Sequence, residues 1–268
     1  MNRHYIDLFS SSVVDDVMEF LPQDRPVFAL LDLAFCGARE RARLEGNFLT
    51  LRLYERFGSE GPAAELTPSL LELPLDLEQR RKALVELCTL SSGCPMLSLL
   101  LFNGGLDEAY MHLQAQMEAR AEGGSFLVRL ADTRCLPTWV AALSTSQKER
   151  FLAGVESWWY VTRDGKFARI DGLGHARSWT EVRPYDLTIE QRRRLQIAAV
   201  PDMVIAYLHS RPDAFGTLGP FPARIHAGVQ AVLDEFEGDP LMLSAAVYRS
   251  ILEALHSQSL LVQRDDVA

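Results

Sequence analysis

Apolar runs of strand length alternate with amphipathic runs of helix length through the first 135 residues, a pattern of strands and helices packed in layers. Val27–Ala34, Phe48–Tyr54, Leu70–Leu75, Met96–Phe102 and Phe126–Ala131 read as strands. Pro74 lacks the N–H that a ladder needs and so puts the third of these at a sheet edge or a strand end. Helices are predicted over about 11–20, 36–46, 77–91 and 106–120; in the last, Leu106, Tyr110, Leu113 and Met117 fall on one face.

After Arg134 the pattern changes. Leu136–Leu143 and Ser146–Ala153 are short helical segments separated by Ser144-Thr145-Ser146-Gln147, a capping box whose ends satisfy each other's free backbone donors. A Trp-rich segment, Val155–Val161, follows, and Arg163-Asp164-Gly165-Lys166 reads as a hairpin turn, because Asp-Gly tolerates positive φ. Gly172, Gly174 and Pro184 mark 172–186 as a linker. From Leu187 everything periodic is helical. Thr188 and Gln191 open one helix, which Pro201 is expected to interrupt. Arg211–Pro222 is a Pro/Gly loop carrying Phe215, Leu218 and Phe221. Ile225, Val229, Val232 and Phe236 form the next apolar face, Gly238 stops that helix, and Asp239 and Pro240 are expected to cap and start the last one. The fold class is therefore α/β (α+β) for an N-terminal lobe, residues 1–171, with a mixed sheet of about five strands. A small all-helical C-terminal lobe, residues 187–268, follows it.

Composition narrows the classes. A chain of 268 residues with 48% hydrophobic and 24% charged residues and a mean hydropathy of -0.01 is neither wholly disordered nor collagen-like. A net charge of -9 argues against a general nucleic-acid binder, which needs a basic face to displace phosphate counterions. The longest apolar approach, Met96–Phe102, falls well short of the roughly 18 residues of a membrane span, and Asp7 stands where a signal peptide is apolar. The expectation is a cytoplasmic protein with neither membrane nor nucleic acid as partner. Cys36, Cys88, Cys94 and Cys135 form no CxxC pair, so they read as free thiols.

Chemistry-bearing motifs are sparse. The chain has no G-x-S-x-G elbow, and neither Gly104-Gly105 nor Gly123-Gly124 leads into the Lys of a phosphate-binding loop. No two of His4, His112, His175, His209, His226 and His256 stand four residues apart, so no helical zinc motif is present, and no cofactor or metal is expected. The acid-base candidate is Asp132-Thr133-Arg134 at the end of a predicted strand, where α/β folds place working side chains. The architectural reading is that Asp132 caps the helix near Leu136 while Arg134 pairs with a carboxylate. That reading is preferred, since no histidine or second carboxylate lies close in sequence. His112 reads as a hydrogen-bonded packing residue, and Trp158, Trp159 and Trp179 as core or interface anchors ahead of stacking platforms.

The segment Gly124–Phe167 resembles the type VI secretion adaptor proteins, the effector chaperones called Tap or TEC. Arg129, Asp132, Arg134, Leu136, Pro137, Leu143, Gln147, Phe151 and Gly154 stand at matching positions of their signature. Upstream, Ala29–Asp32, Leu70–Leu75 and Met96–Leu113 are similar to the strands and the His-Leu helix that precede it, so that the resemblance covers about residues 25–167. The chain departs at Leu130, Ala131 and Thr133, where the family has Phe-Tyr and Pro, and at Gly93-Cys94-Pro95-Met96, where the family has Trp-Gly.

The resemblance implies a non-enzymatic cytoplasmic adaptor. It would bind a secreted toxic effector, often through the effector's N-terminal region, and deliver it to the VgrG spike protein. Asp132, Arg134 and Pro137 would be structural signature residues, and Trp158, Trp159, Phe215, Leu218 and Phe221 are the candidate partner surface. Two alternatives stand beside it: an immunity protein that neutralises a toxin, and a hydrolase or transferase with its site near Asp132 and Arg134.

Overall fold

The computed structural model describes residues 4–54, 67–121, 123–174 and 180–262. Six strands form the main sheet: β1 (Phe28–Leu31), β2 (Thr50–Arg52), β3 (Ser69–Glu72), β4 (Leu97–Phe102), β7 (Val155–Val161) and β8 (Phe167–Asp171), in the order β2-β3-β1-β4-β7-β8. Every neighbouring pair is antiparallel, so the mixed sheet expected from sequence is corrected. The parallel pairing lies in a separate three-stranded sheet, where β5 (Glu118–Ala121) sits between β6 (Gly124–Leu127) and β9 (Tyr185–Asp186).

Both faces of the main sheet are covered, which is why β1 reads as an unbroken apolar run and β4 as one interrupted only by the buried Ser98. Alternate residues divide between two cores. Ala29, Leu31, Leu97, Leu99 and Trp159 face α1 (Val13–Phe20) and α3 (Leu77–Ser91). Phe28, Leu30, Leu100, Phe102 and Trp158 face α4 (Leu106–Ala115), α5 (Leu136–Ala142) and α6 (Thr145–Phe151). α2 (Ala38–Asn47) is the most polar helix of this lobe and buries only Leu44.

Several expectations are revised by tertiary contacts. β3 is interior to the sheet, with Pro74 just past its end. The helix predicted to 120 stops at Ala115, because Glu118–Ala121 is drawn into strand pairing on both sides. The strand predicted over Phe126–Ala131 ends at Leu127, and Val128, Leu130 and Ala131 instead drop into the second core as an irregular loop.

α7 (Ile189–His209) runs unbroken through Pro201, which is buried. Packing against α5 and α9 (Pro222–Asp234) offsets a residue that costs a helix interior about 3 kcal/mol. α8 (Pro212–Phe215) is a single turn, and α10 (Ala245–Ser257) is capped by Ser244, whose Oγ accepts from Val247 N. Asp239 therefore does not cap the last helix; its carboxylate closes a turn on Leu241 N instead. A two-stranded ladder, β10 (Thr217–Leu218) with β11 (Leu261–Val262), closes the lobe, which is thus not purely helical. Its core is a third cluster, built on Val204, Leu208, Val229, Ile251 and Leu255.

The segment read as a linker is fastened at both ends. Gly172 N donates to Glu156 O at 3.0 Å, Leu173 N donates to Leu152 O at 3.1 Å, and Tyr185 is 1% exposed in the second core. A Cβ on Gly172 would lie 1.9 Å from the Val155 carbonyl oxygen, so only glycine permits this approach.

Candidate functional site

Asp132 follows the buried run Leu130-Ala131 and is itself fully buried. Thr133 N donates to Pro95 O at 3.0 Å, which pins the loop to the lead-in of β4. The Asp132 carboxylate is then gripped by Arg134: Oδ1 accepts from Arg134 N at 3.1 Å and Nε at 3.0 Å, and Oδ2 accepts from Nη2 at 2.8 Å. The Asp132 side chain closes this loop on Arg134 and does not cap α5, as the sequence had led us to expect; its carbonyl accepts from Cys135 N and Leu136 N. Pro137 stands in the first turn of α5, where its missing N–H costs nothing.

The pair belongs to a longer row. Arg129 reaches Asp132 at 3.3 Å and Asp32 at 2.8 Å, and Asp32 also accepts from Ala34 N at 3.1 Å to cap the turn after β1. On the other side, Arg134 lies 3.9 Å from Asp202 of α7, which Arg163 holds with two nitrogens at 2.9 and 2.7 Å. Charges thus alternate through Asp32, Arg129, Asp132, Arg134, Asp202 and Arg163, from β1 to the helical lobe. The guanidinium of Arg134 is 5.3 Å from the centroid of the Tyr5 ring and 5.7 Å from that of Phe35, two rings that pack edge to face with centroids 5.2 Å apart, so an aromatic pair covers it from one side.

Local environment sets the protonation of the row. Burial raises the Asp32 carboxyl, with Arg129 opposing that rise. Burial also works against the Asp202 carboxylate, yet the hydrogen bonds and charge of Arg163, with Arg134, hold it below the ordinary range. His226 is pushed down to about 4 by burial and by Arg163, so it stays neutral beside this pair. Cys135 is exposed at the start of α5, but desolvation of its thiol and the Asp132 charge push it up to about 11, the wrong direction for a nucleophile. What the arrangement does chemically is join two lobes: each carboxylate accepts from a guanidinium, and Arg134 sits between two of them.

The five candidate partner residues do not form one surface. Trp158 is 0% exposed and stacks on Phe151 at 5.6 Å; Trp159 is 6% exposed and stacks on Phe20 at 5.1 Å. Both are core residues and present no face to a partner, which corrects that expectation. Phe215 is half-buried against Tyr207 at 5.4 Å, and Leu218 is half-buried in β10. Phe221 alone is exposed, at 46%. His112 is buried, its Nε2 3.0 Å from Phe151 O, a packing position. His175 and Trp179 lie outside the described residues.

Arg163 and Asp202 were not legible as a pair. They stand 39 residues apart, one in a turn and one beside Pro201, and only the packing of the lobes brings them together. Among the described residues no group of three His, Cys, Asp or Glu side chains is placed to hold a metal ion, and no helix is long and apolar enough to cross a membrane.

No curated protein and no solved structure matches the chain. Residues 27–150 match a family model described as a domain of unknown function, DUF4123, a stretch that runs from β1 through most of α6 and so contains Asp32, Arg129, Asp132 and Arg134 but neither Arg163 nor Asp202.

Proposed function

We propose that this protein is a non-enzymatic adaptor that binds a type VI secretion effector and carries it to the VgrG spike. One observation carries the reading: the stretch that resembles the adaptors, about residues 25–167, coincides with the stretch that matches DUF4123, residues 27–150. The geometry of the signature residues supports it. Asp132 and Arg134, the strongest catalytic candidates in the sequence, are engaged with each other, Asp132 also with Arg129 and Arg134 also with Asp202, and they serve the junction between lobes. An adaptor needs a rigid scaffold that presents surfaces, and the alternating row supplies that rigidity.

Capture of the tagged full chain from its native cell tests the reading. An effector and a VgrG protein in the same eluate support it. A toxic catalytic domain captured without a spike points to the immunity alternative, and turnover of a small substrate that is lost in Asp132→Asn points to the hydrolase or transferase alternative.

A further inference from the structure

We infer that β6 is a docking edge that takes an extended segment of a partner protein as a further strand; this rests on the adaptor reading and names the form in which one partner is held. β6 is the outer strand of the three-stranded sheet and pairs only with β5 among the described residues. The register fixes which of its main-chain groups that pairing uses. Val128 N donates to Met117 O at 2.8 Å, just beyond the ladder, and Leu187 N donates to Arg120 O at 2.9 Å from the β9 side. Hydrogen-bonded and non-bonded pairs alternate in an antiparallel ladder, so Phe126 exchanges its bonds with Ala119. Ser125, opposite Arg120, and Leu127, opposite Glu118, then turn their N–H and C=O groups outward. Among the described residues no hydrogen bond meets these four groups.

The edge is open and apolar. Every residue of β6 is exposed, Phe126 by 41% and Leu127 by 36%. A Cβ added at Gly123 or Gly124 would meet no described residue within 4 Å, so nothing crowds the start of the strand there. Gly124-Ser125-Phe126-Leu127 carries neither charge nor proline, two devices that ordinarily keep an edge from pairing. Beside it a groove of about 480 Å³ opens between β6 and α7, with Ala121, Phe126, Leu195 and Ala199 in its lining. Phe126 lies opposite the buried Ala119 and so shares the sheet face that turns toward the second core.

The occupant's form follows from the main chain. Outward N–H and C=O groups on alternate residues match an extended backbone, whereas a helix satisfies its own backbone and would leave them unmet. An added strand sets every second side chain beside Phe126, over the groove, so apolar residues are expected at those positions. Arg192 is the one charged residue in the groove's lining among the described residues, so main-chain pairing and apolar contact select the occupant more than charge does. A second copy of this chain fits less well. Two edges of four residues run side by side for only about 13 Å, and pairing through them falls short of the roughly 1,200 Å² that a stable interface buries.

The probe is a short labelled peptide that alternates Val and Thr, measured by fluorescence anisotropy against the full chain. Two N-methylated forms accompany it, one blocked at every Val amide and the other at every Thr amide. A sheet edge meets only one of these sets, so one form should bind like the parent peptide and the other should weaken by about tenfold or more. Ser125→Pro removes an outward N–H and leaves the β5 ladder whole, so it should weaken the parent peptide by about the same factor at an unchanged melting temperature, and Ser125→Thr should not. Phe126→Asp keeps the backbone, places a carboxylate beside the groove and should weaken binding as well. Absence of binding by the parent peptide, equal effects of the two methylations, or binding that Ser125→Pro and Phe126→Asp both leave intact overturns the inference. If both variants still capture effector and spike, this inference falls and the adaptor reading stands. If the peptide binds at the edge but the chain captures neither protein, the adaptor reading falls and the docking edge stands.

Discussion

Arg163, in the turn between β7 and β8, holds Asp202 of α7 with two nitrogens, at 2.9 and 2.7 Å, across the seam between the sheet and the helical lobe. Both side chains are about three-quarters buried, at 24% and 29% exposure, so removing one partner leaves the other charge poorly hydrated. Asp202→Ala should lower stability by about 2 kcal/mol, allowing for the residual solvent screening. In a double-mutant cycle with Arg163→Ala, a coupling of about 1 kcal/mol or more is expected from urea unfolding, whereas additive effects would show that the pair does not hold the seam.

The same junction predicts a pH dependence. His226 falls from 6.5 to about 4 on folding, so between those values the unfolded chain binds a proton that the folded chain refuses. Stability is fully present above pH 6.5 and declines as pH falls toward 4. The full shift corresponds to roughly 3 kcal/mol, and partial exposure brings the expectation to about 2. Asp202, held below its ordinary range, adds a loss in the same direction at lower pH still. His226→Gln should flatten the decline between pH 6.5 and 4.5, and an unchanged slope would assign it to other groups.

Asp132→Ala removes a fully buried carboxylate from between Arg129 and Arg134. Its cost should be about 3 kcal/mol, well above the ~1 kcal/mol of a lost helix cap, because Arg134 loses its close two-oxygen partner and Arg129 one of its two carboxylates. Partner binding should fall only as far as folding does. A folded Asp132→Ala protein with intact stability and abolished binding would place Asp132 at an interface instead.

Phe215 ends α8 and Phe221 immediately precedes α9, and the two differ in burial, so their serine variants should separate. Phe215→Ser strips a ring from Tyr207 and the third core, and a loss of about 2 kcal/mol is expected. Phe221→Ser, at a position 46% exposed, should change stability by no more than about 0.5 kcal/mol. Equal melting temperatures for the two variants would contradict the placement of Phe215.

How much of this was legible depended on how local each cause is. α3 was read over its observed span, and the Ser144–Gln147 and Thr188–Gln191 capping boxes form as their spacing predicts, because each depends on a few adjacent residues. β5 was hidden because Glu-Ala-Arg-Ala favours a helix in isolation, and only β6 and β9 draw it into a sheet. Pro201 misled for the same reason: the penalty is local, while the packing that outweighs it is not. At the site, Asp132 and Arg134 stood out as a close pair. Asp32, Asp202 and Arg163 come from three distant segments and carry no periodic signal.

The central claim, that the chain delivers an effector to the spike, is tested most directly by secretion. In the native cell lacking this chain, the captured effector should disappear from the medium while VgrG is still exported, and restoring the chain should bring the effector back. Effector export that continues unchanged without the chain would contradict the account.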